Sequence, residues 1–157
     1  MPKVDEAEVS RIAALCAELD RRADVICAEI TAGNDEWPMY GVSIARVGDT
    51  LDMCARVHHL NLIVRYGHQI ERVDGVRVLK GIYRANIDDQ GKHDEIPITW
   101  FSFDAQNNVC SPGDIIPSLV RRDGMLSIQR DFALLLAHDV QRHIDAGGSH
   151  GLGDGLI

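Results

Sequence analysis

Apolar residues in the first part of the chain recur at three- and four-residue steps. The repeat consists of Val9, Ile12, Ala13, Cys16, Leu19, Ala23, Ile26, Cys27 and Ile30. This spacing places the apolar side chains on one face of an α-helix, with charged residues opposite. Gly33 and Pro38 are helix stop signals. We therefore predict one long helix over residues 4–32 that covers a sheet, an exposed partner-binding helix being the alternative.

The pattern then changes to the alternation that is typical of strands, most clearly around Asp74-Gly75. An Asp-Gly pair between two β-type runs predicts a two-residue hairpin turn. Such a turn sets the register of every preceding pair. The predicted pairs are Val73–Val76, Ile70–Leu79, His68–Gly81, Tyr66–Tyr83, Val64–Ala85 and Leu62–Ile87. The five pairs from Ile70–Leu79 inward share one face, and Arg65, Gln69, Glu71, Lys80 and Arg84 lie on the other.

Other segments complete the predicted sheet and add a second helix. Residues 40–47 and 51–57 form a hairpin if Val47 faces Leu51, which brings Arg46 opposite Asp52; the rival interpretation is a helix over 51–59 capped by Thr50. Residues 96–103 form a further strand after a polar loop at 88–95. The final helix begins after Ser127 and ends near Asp145. Its apolar positions are Ile128, Phe132, Leu135, Leu136, Val140 and Ile144.

These elements predict an α+β fold. An antiparallel β-meander of about five to six strands packs against long N-terminal and C-terminal helices. A chain of 157 residues suits one domain, which we place at residues 1–146. Residues 147–157 contain five glycines and are predicted to form a flexible tail.

Charge and cysteine content limit the partners and the location. The formal net charge is −8, although residues 40–87 carry seven basic and four acidic side chains between acidic flanks. An acidic chain repels nucleic acid and anionic membranes, so neither is predicted as a partner. The four cysteines form no CxxC pair, and no apolar run has membrane-spanning length. We therefore predict a cytoplasmic protein.

One candidate site lies on the inward face of the predicted hairpin. His68 falls among apolar positions opposite Gly81, with Tyr66 and Tyr83 beside it. An imidazole and two phenols around a glycine gap have the composition of a ligand pocket, in which His68 is a candidate general base. The alternative is a core histidine that is hydrogen-bonded to a neighbour, with Gly81 marking a bulge.

A second candidate site is the opposite face, where Arg65 lies directly across from Arg84 and near Lys80. Like charges opposite each other are tolerated in solvent or around an anion. No aromatic residue occupies an outward position of the hairpin, which favours a protein partner over nucleic acid. The alternative is a solvated face whose charges are paired within the chain.

The sequence gives little support for a metal site, a serine nucleophile or a nucleotide-binding loop. Cys54, His58, His59 and Asp52 supply too few converging ligands for zinc, and no GxSxG or phosphate-binding loop is present. We predict neither a metal nor a cofactor. The sequence thus favours a binding protein that forms a homodimer and recognises a protein partner through Arg65, Arg84 and Lys80. The alternative is a protein or small enzyme that binds an apolar or anionic small molecule around His68, Tyr66 and Tyr83.

Overall fold

The computed structural model describes residues 4–32, 40–89, 92–93, 96–119 and 128–147. Helix α1 spans Glu6–Thr31 and helix α2 spans Ile128–Asp145. The strands are β1 (Val42–Arg46), β2 (Met53–Val57), β3 (Leu60–Val73), β4 (Val76–Asp89), β5 (Lys92–His93), β6 (Thr99–Phe103) and β7 (Val109–Cys110). The predicted tail lies outside the described residues, apart from Gly147 at its start.

The strands form one antiparallel sheet in the order β1-β2-β3-β4-β6-β7, with β5 paired to β4 outside this path. A single hydrophobic core contains side chains from both helices and from strands β1, β2, β3, β4 and β6. The α+β class, the antiparallel meander and the two terminal helices are therefore confirmed, although α2 has 18 residues against 26 in α1. Neither of these described helices is long and apolar enough to span a membrane.

The β3–β4 hairpin has the predicted register along its whole length. Val73 pairs with Val76, His68 with Gly81 and Leu62 with Ile87. Asp74 and Gly75 both have positive φ, as a tight two-residue turn between twisted strands requires. We call the side of the sheet that faces the helices the inward face and the other side the outward face.

The pairing register of the β1–β2 hairpin differs from the prediction by one residue. Arg46 pairs with Met53 rather than with Asp52, so that Ile44 lies opposite Ala55 on the inward face. The prediction was wrong because the loop contains four residues rather than three: the Val47 amide donates to the carbonyl of Asp52 at 2.9 Å. A one-residue shift moves the partner of each residue to the other face. Residues 53–57 form a strand, which excludes the rival helix, and the predicted 88–95 loop contains the end of β4 and β5.

Helix α1 is buried along only its second half. Asp5 caps its start, since its carboxylate accepts hydrogen bonds from the amides of Ala7 and Glu8. The buried residues are Leu19, Ala23, Ile26, Cys27 and Ile30. Earlier in the helix, Ile12 is only partly buried and Val9 is 58% exposed. The periodicity therefore predicted the face of the helix correctly but overestimated the length that the sheet covers.

Candidate functional site

The structure brings the three predicted inward residues of the hairpin together. The Tyr66 ring lies with its centroid 5.2 Å from that of Tyr83 and 5.5 Å from that of His68, the latter at an edge-on angle of 85°. Tyr83 is buried, Tyr66 is partly buried, and the His68 side chain is 32% exposed. His68 therefore lies at the rim of the core, where solvent reaches its ring.

Asp20 of α1 joins this group, although the sequence did not identify it. Its Oδ1 atom accepts a hydrogen bond from the Tyr66 hydroxyl at 3.0 Å and lies 2.8 Å from Nε2 of His68. Because a carboxylate oxygen accepts hydrogen bonds, this contact favours a proton on Nε2 of His68 and directs that nitrogen at Asp20. This arrangement fixes the imidazole in one orientation, as an orienting carboxylate does for a general base.

The two tyrosine hydroxyls lie where α1 packs on the hairpin. The Tyr83 hydroxyl donates to the carbonyl oxygen of Ala23 at 3.3 Å. Burial raises the pKa of the Tyr66 hydroxyl well above its usual value, and the hydrogen bond to Asp20 raises it further. Burial likewise raises the pKa of Tyr83, and the nearby Cys27 thiol adds to that increase. Both phenols therefore stay neutral in the folded protein and serve as hydrogen-bond donors.

The space beside Gly81 is filled by the ring of Phe103, which pairs with Gly81 across the strands. A β-carbon built on Gly81 would lie 2.5 Å from Cζ of Phe103. The Phe103 ring is fully buried and lies nearly parallel to that of Tyr66, with centroids 6.2 Å apart. Gly81 thus admits an aromatic side chain of the protein itself, and the expectation that it leaves an empty gap is corrected.

An open cleft of about 260 Å³ lies between this group and the hairpin turn, and none of Asp20, Tyr66, His68 and Tyr83 lines it. Ile70 and Leu79 form the next inward pair after His68 and Gly81, and they line the cleft from the sheet. Ile12 and Leu15 line it from α1. Its remaining walls are formed by Glu8, Arg11, Arg77, Val78 and the turn residues Asp104, Ala105 and Gln106. We call this space the α1–hairpin cleft.

The predicted partner-binding residues lie on the outward face, as expected, but two of them are bonded within the chain. Arg84 donates to the side-chain oxygen of Gln69 at 2.8 Å, and Lys80 forms an ion pair with Glu71 at 2.9 Å. Arg65 is exposed and lies opposite Arg84 in the register. Of the three residues, Arg65 therefore presents its charge most openly to solvent.

The residues that sequence analysis missed are those contributed by α1 and by the turn after β6. Asp20 follows Leu19 at the edge of the apolar stripe, and this position was the available signal for it. An acid at the border of a buried helical face lies within reach of polar groups on the sheet below. The sequence alone does not predict which strand residue lies beneath Asp20. The answer depends on how far α1 is shifted along the sheet.

The residues weighed as zinc ligands do not converge in the described part of the chain. His58 and His59 lie in the turn between β2 and β3, while Cys54 is exposed on the outward face. Within the described part of the chain, no group of three His, Cys, Asp or Glu side chains is placed to hold a metal ion. Comparison with known proteins finds no matching family model, no similar curated protein and no similar solved structure.

The raised pKa values of the two tyrosines predict a loss of stability at alkaline pH. In the unfolded chain a tyrosine ionises near pH 10, whereas Tyr66 and Tyr83 remain protonated in the fold. The unfolded state therefore binds fewer protons above that pH, and the free energy of unfolding falls as the pH rises further. Urea denaturation from pH 8 to pH 11 should show a smaller alkaline loss in Tyr66→Phe and Tyr83→Phe. Tyr40→Phe, at an exposed tyrosine, is the control and should retain the loss.

Proposed function

We propose that the protein binds a small molecule in the α1–hairpin cleft, beside His68, Tyr66 and Tyr83. The observation that carries this proposal is the incomplete cover of the inward face near the hairpin turn. Ile70 is an inward residue of the central hairpin, yet it is 50% exposed. Helix α1 passes over this region without closing on it, so the apolar walls of the cleft face each other across open space.

The lining has the composition of a ligand site. Small-molecule sites are concave, largely apolar and equipped with a few polar groups that orient the ligand. The cleft combines Ile12, Leu15, Ile70 and Leu79 with the charged side chains of Glu8, Arg11, Arg77 and Asp104. Its volume of about 260 Å³ lies just below the range of roughly 300–1,000 Å³ for drug-sized ligands. The proposed ligand is therefore smaller than a typical drug molecule.

Asp20, Tyr66 and His68 support the proposal because they fix α1 against β3 beside the cleft. The Asp20 carboxylate connects α1 to β3 through two hydrogen bonds. These bonds lie beyond Leu15 along α1, at the start of the buried part of the helix, which begins at Leu19. A largely preformed site loses little conformational entropy on binding. His68 itself lies outside the lining of the cleft, so its role as a general base stays a prediction.

We place this function ahead of a protein partner on the outward face. Lys80 and Arg84 already have partners within the chain, and replacing those bonds by contacts to another protein would yield little net free energy. A partner surface at Arg65, Arg84 and Lys80 stays a prediction, as do the cytoplasmic location and the homodimer. Native mass spectrometry of the purified protein tests the oligomeric state directly.

Calorimetric titration with three eight-carbon probes tests the proposed function. Octanoate, octan-1-ol and octylammonium share the same apolar body and differ in their head groups. At least one should bind with 1:1 stoichiometry, and Leu15→Trp, which fills the cleft, should weaken that binding by at least about tenfold, or 1.4 kcal/mol. Ala14→Trp is the matched control, because Ala14 is an exposed neighbour outside the cleft lining.

Two outcomes would contradict the proposal. If none of the three probes binds, the cleft is not a site for small apolar ligands. If a probe binds equally well to Leu15→Trp and to the unchanged protein, its site lies elsewhere. Circular dichroism of both tryptophan variants establishes that the comparison is made between folded proteins.

A further inference from the structure

We propose that the ligand of the α1–hairpin cleft carries an anionic carboxylate head, which Arg11 and Arg77 bind. This inference rests on the proposed function, because it specifies the chemical class of the molecule in the same cleft. Arg11 lines the cleft from α1 and Arg77 lines it from β4. The two guanidinium groups therefore approach the same space from two different elements of the fold.

Neither arginine has an ion-pair partner in the part of the chain that the structure describes. Over the residues that the structure describes, Arg11 and Arg77 take part in no ion pair, whereas Arg21, Arg22 and Arg46 each pair with a carboxylate. A guanidinium presents its donors in a planar fork that matches a carboxylate, and the paired hydrogen bonds are among the strongest in proteins. Two such forks at one cleft provide donors for a single bound anion.

The register of the hairpin places a third cation at the same end of the cleft. Arg72 lies directly opposite Arg77 in the pairing of β3 with β4, and both are exposed. Like charges at directly opposed positions destabilise a sheet. An anion bound at Arg77 relieves this repulsion, so binding gains free energy from the pair that the unoccupied protein lacks.

Of the two acidic residues of the cleft, Asp104 is already hydrogen-bonded within the chain. The Asp104 carboxylate accepts hydrogen bonds from the amides of Gln106 and Asn108 and from the side-chain amide of Asn108, at 2.9 Å each. It is thereby committed to the turn after β6. Glu8 lies in the first turn of α1, where the positive end of the helix dipole favours an acid.

The order of residues along the β3–β4 hairpin and along α1 indicates the orientation of the ligand in the cleft. From the hairpin turn inward, the opposed pairs are Arg72–Arg77, then Ile70–Leu79, then His68–Gly81. Along α1 toward its buried half, Arg11 is followed by Ile12 and Leu15 in the lining. Both walls therefore change from charged to apolar in the same direction. A carboxylate at the outer end and an apolar chain directed toward His68 match this order.

Titrations with the same three probes test the head group. We expect octanoate to bind about tenfold more tightly than octan-1-ol, and octylammonium to bind most weakly, since hydrogen bonds to charged groups contribute at least about this factor. Arg11→Gln and Arg77→Gln should each weaken octanoate binding by about tenfold and change octan-1-ol binding by less than about twofold. Arg65→Gln is the control, because Arg65 is an exposed arginine on the outward face, and it should leave both affinities unchanged.

The results separate the two proposals. If octan-1-ol binds as tightly as octanoate, or if Arg11→Gln and Arg77→Gln bind octanoate normally, the carboxylate class is wrong while the cleft remains a ligand site. Tighter binding of octylammonium would overturn the carboxylate class in favour of a cationic head at Glu8 and Asp104. If no probe binds at all, the proposed function itself fails.

Discussion

Replacing Gly81 with alanine is expected to destabilise the protein by about 1–3 kcal/mol, although the change adds a single methyl group. The new β-carbon would lie 2.5 Å from Cζ and 2.9 Å from Cε1 of Phe103. The Phe103 ring is fully buried, and its ring neighbours Tyr66, Tyr83 and Phe101 restrict its movement away from the new methyl group. Close-packed cores respond to such an insertion by strained side chains or backbone shifts.

A second glycine in the same hairpin supplies the control. Gly67 lies on β3, and a β-carbon built there meets nothing within 4 Å. Gly67→Ala should therefore change the free energy of unfolding by less than about 1 kcal/mol, and a slight stabilisation is expected because alanine restricts the unfolded chain. Urea denaturation at neutral pH compares the two variants.

A double-mutant cycle identifies the cause of the Gly81 effect. Phe103→Leu shortens the side chain that meets the new methyl group, so Gly81→Ala should cost clearly less in the Phe103→Leu background than in the native protein. Residues in direct contact show such non-additivity, whereas distant ones do not. Equal costs for Gly81→Ala in both backgrounds, or a cost no larger than that of Gly67→Ala, would mean that the ring moves away freely.

The β3–β4 register was predictable from sequence because a two-residue turn leaves no freedom in the pairing. Once Asp74 and Gly75 are assigned to the turn, every pair from Val73–Val76 to Leu62–Ile87 follows. The β1–β2 hairpin shows the opposite case. Its loop residues suit a turn of three or of four residues, and the hydrogen bond between Val47 and Asp52 that distinguishes them is visible only in the structure.

The composition of the candidate site was predictable only in part. Alternation on β3 and β4 places His68, Tyr66 and Tyr83 on the inward face, and the structure places them there in contact. Their partners Asp20 and Phe103 come from elements packed across the hairpin or beside it. The position of a helix on a sheet depends on the packing of the whole core. No local sequence pattern predicts that packing.

The cleft arises because the apolar face of α1 is longer than the part of the helix that the sheet covers, and periodicity does not reveal this difference. The apolar repeat of α1 continues from Ile30 back to Val9, but the buried part of the helix begins only at Leu19. A repeat states which face of a helix is apolar, and it says nothing about whether a sheet, a ligand or solvent covers that face. Ile12 and Leu15 are therefore residues of the predicted stripe that line an open cleft.

Phe132→Ala is expected to have the largest effect on stability, about 3–5 kcal/mol, because it removes a fully buried aromatic side chain. The Phe132 ring packs edge-on against Phe101 at a centroid distance of 5.2 Å and an angle of 67°. This contact joins α2 to the centre of β6. Since domains are stable by about 5–15 kcal/mol in total, the loss is a large fraction of the whole. Leu134→Ala, at a partly exposed position of the same helix, is the control and should cost less than about 1 kcal/mol.

The same variant separates the core from the proposed binding site. The described lining of the cleft comes from α1, β3, β4 and the turn after β6, so Phe132 supports the fold from another side. At a temperature where Phe132→Ala is still folded, its affinity for the best eight-carbon probe should equal that of the native protein. Leu15→Trp should show the reverse, with binding lost and stability nearly retained. A parallel loss of affinity in folded Phe132→Ala would mean that the cleft depends on the position of α2, and the binding site would then have to include that helix.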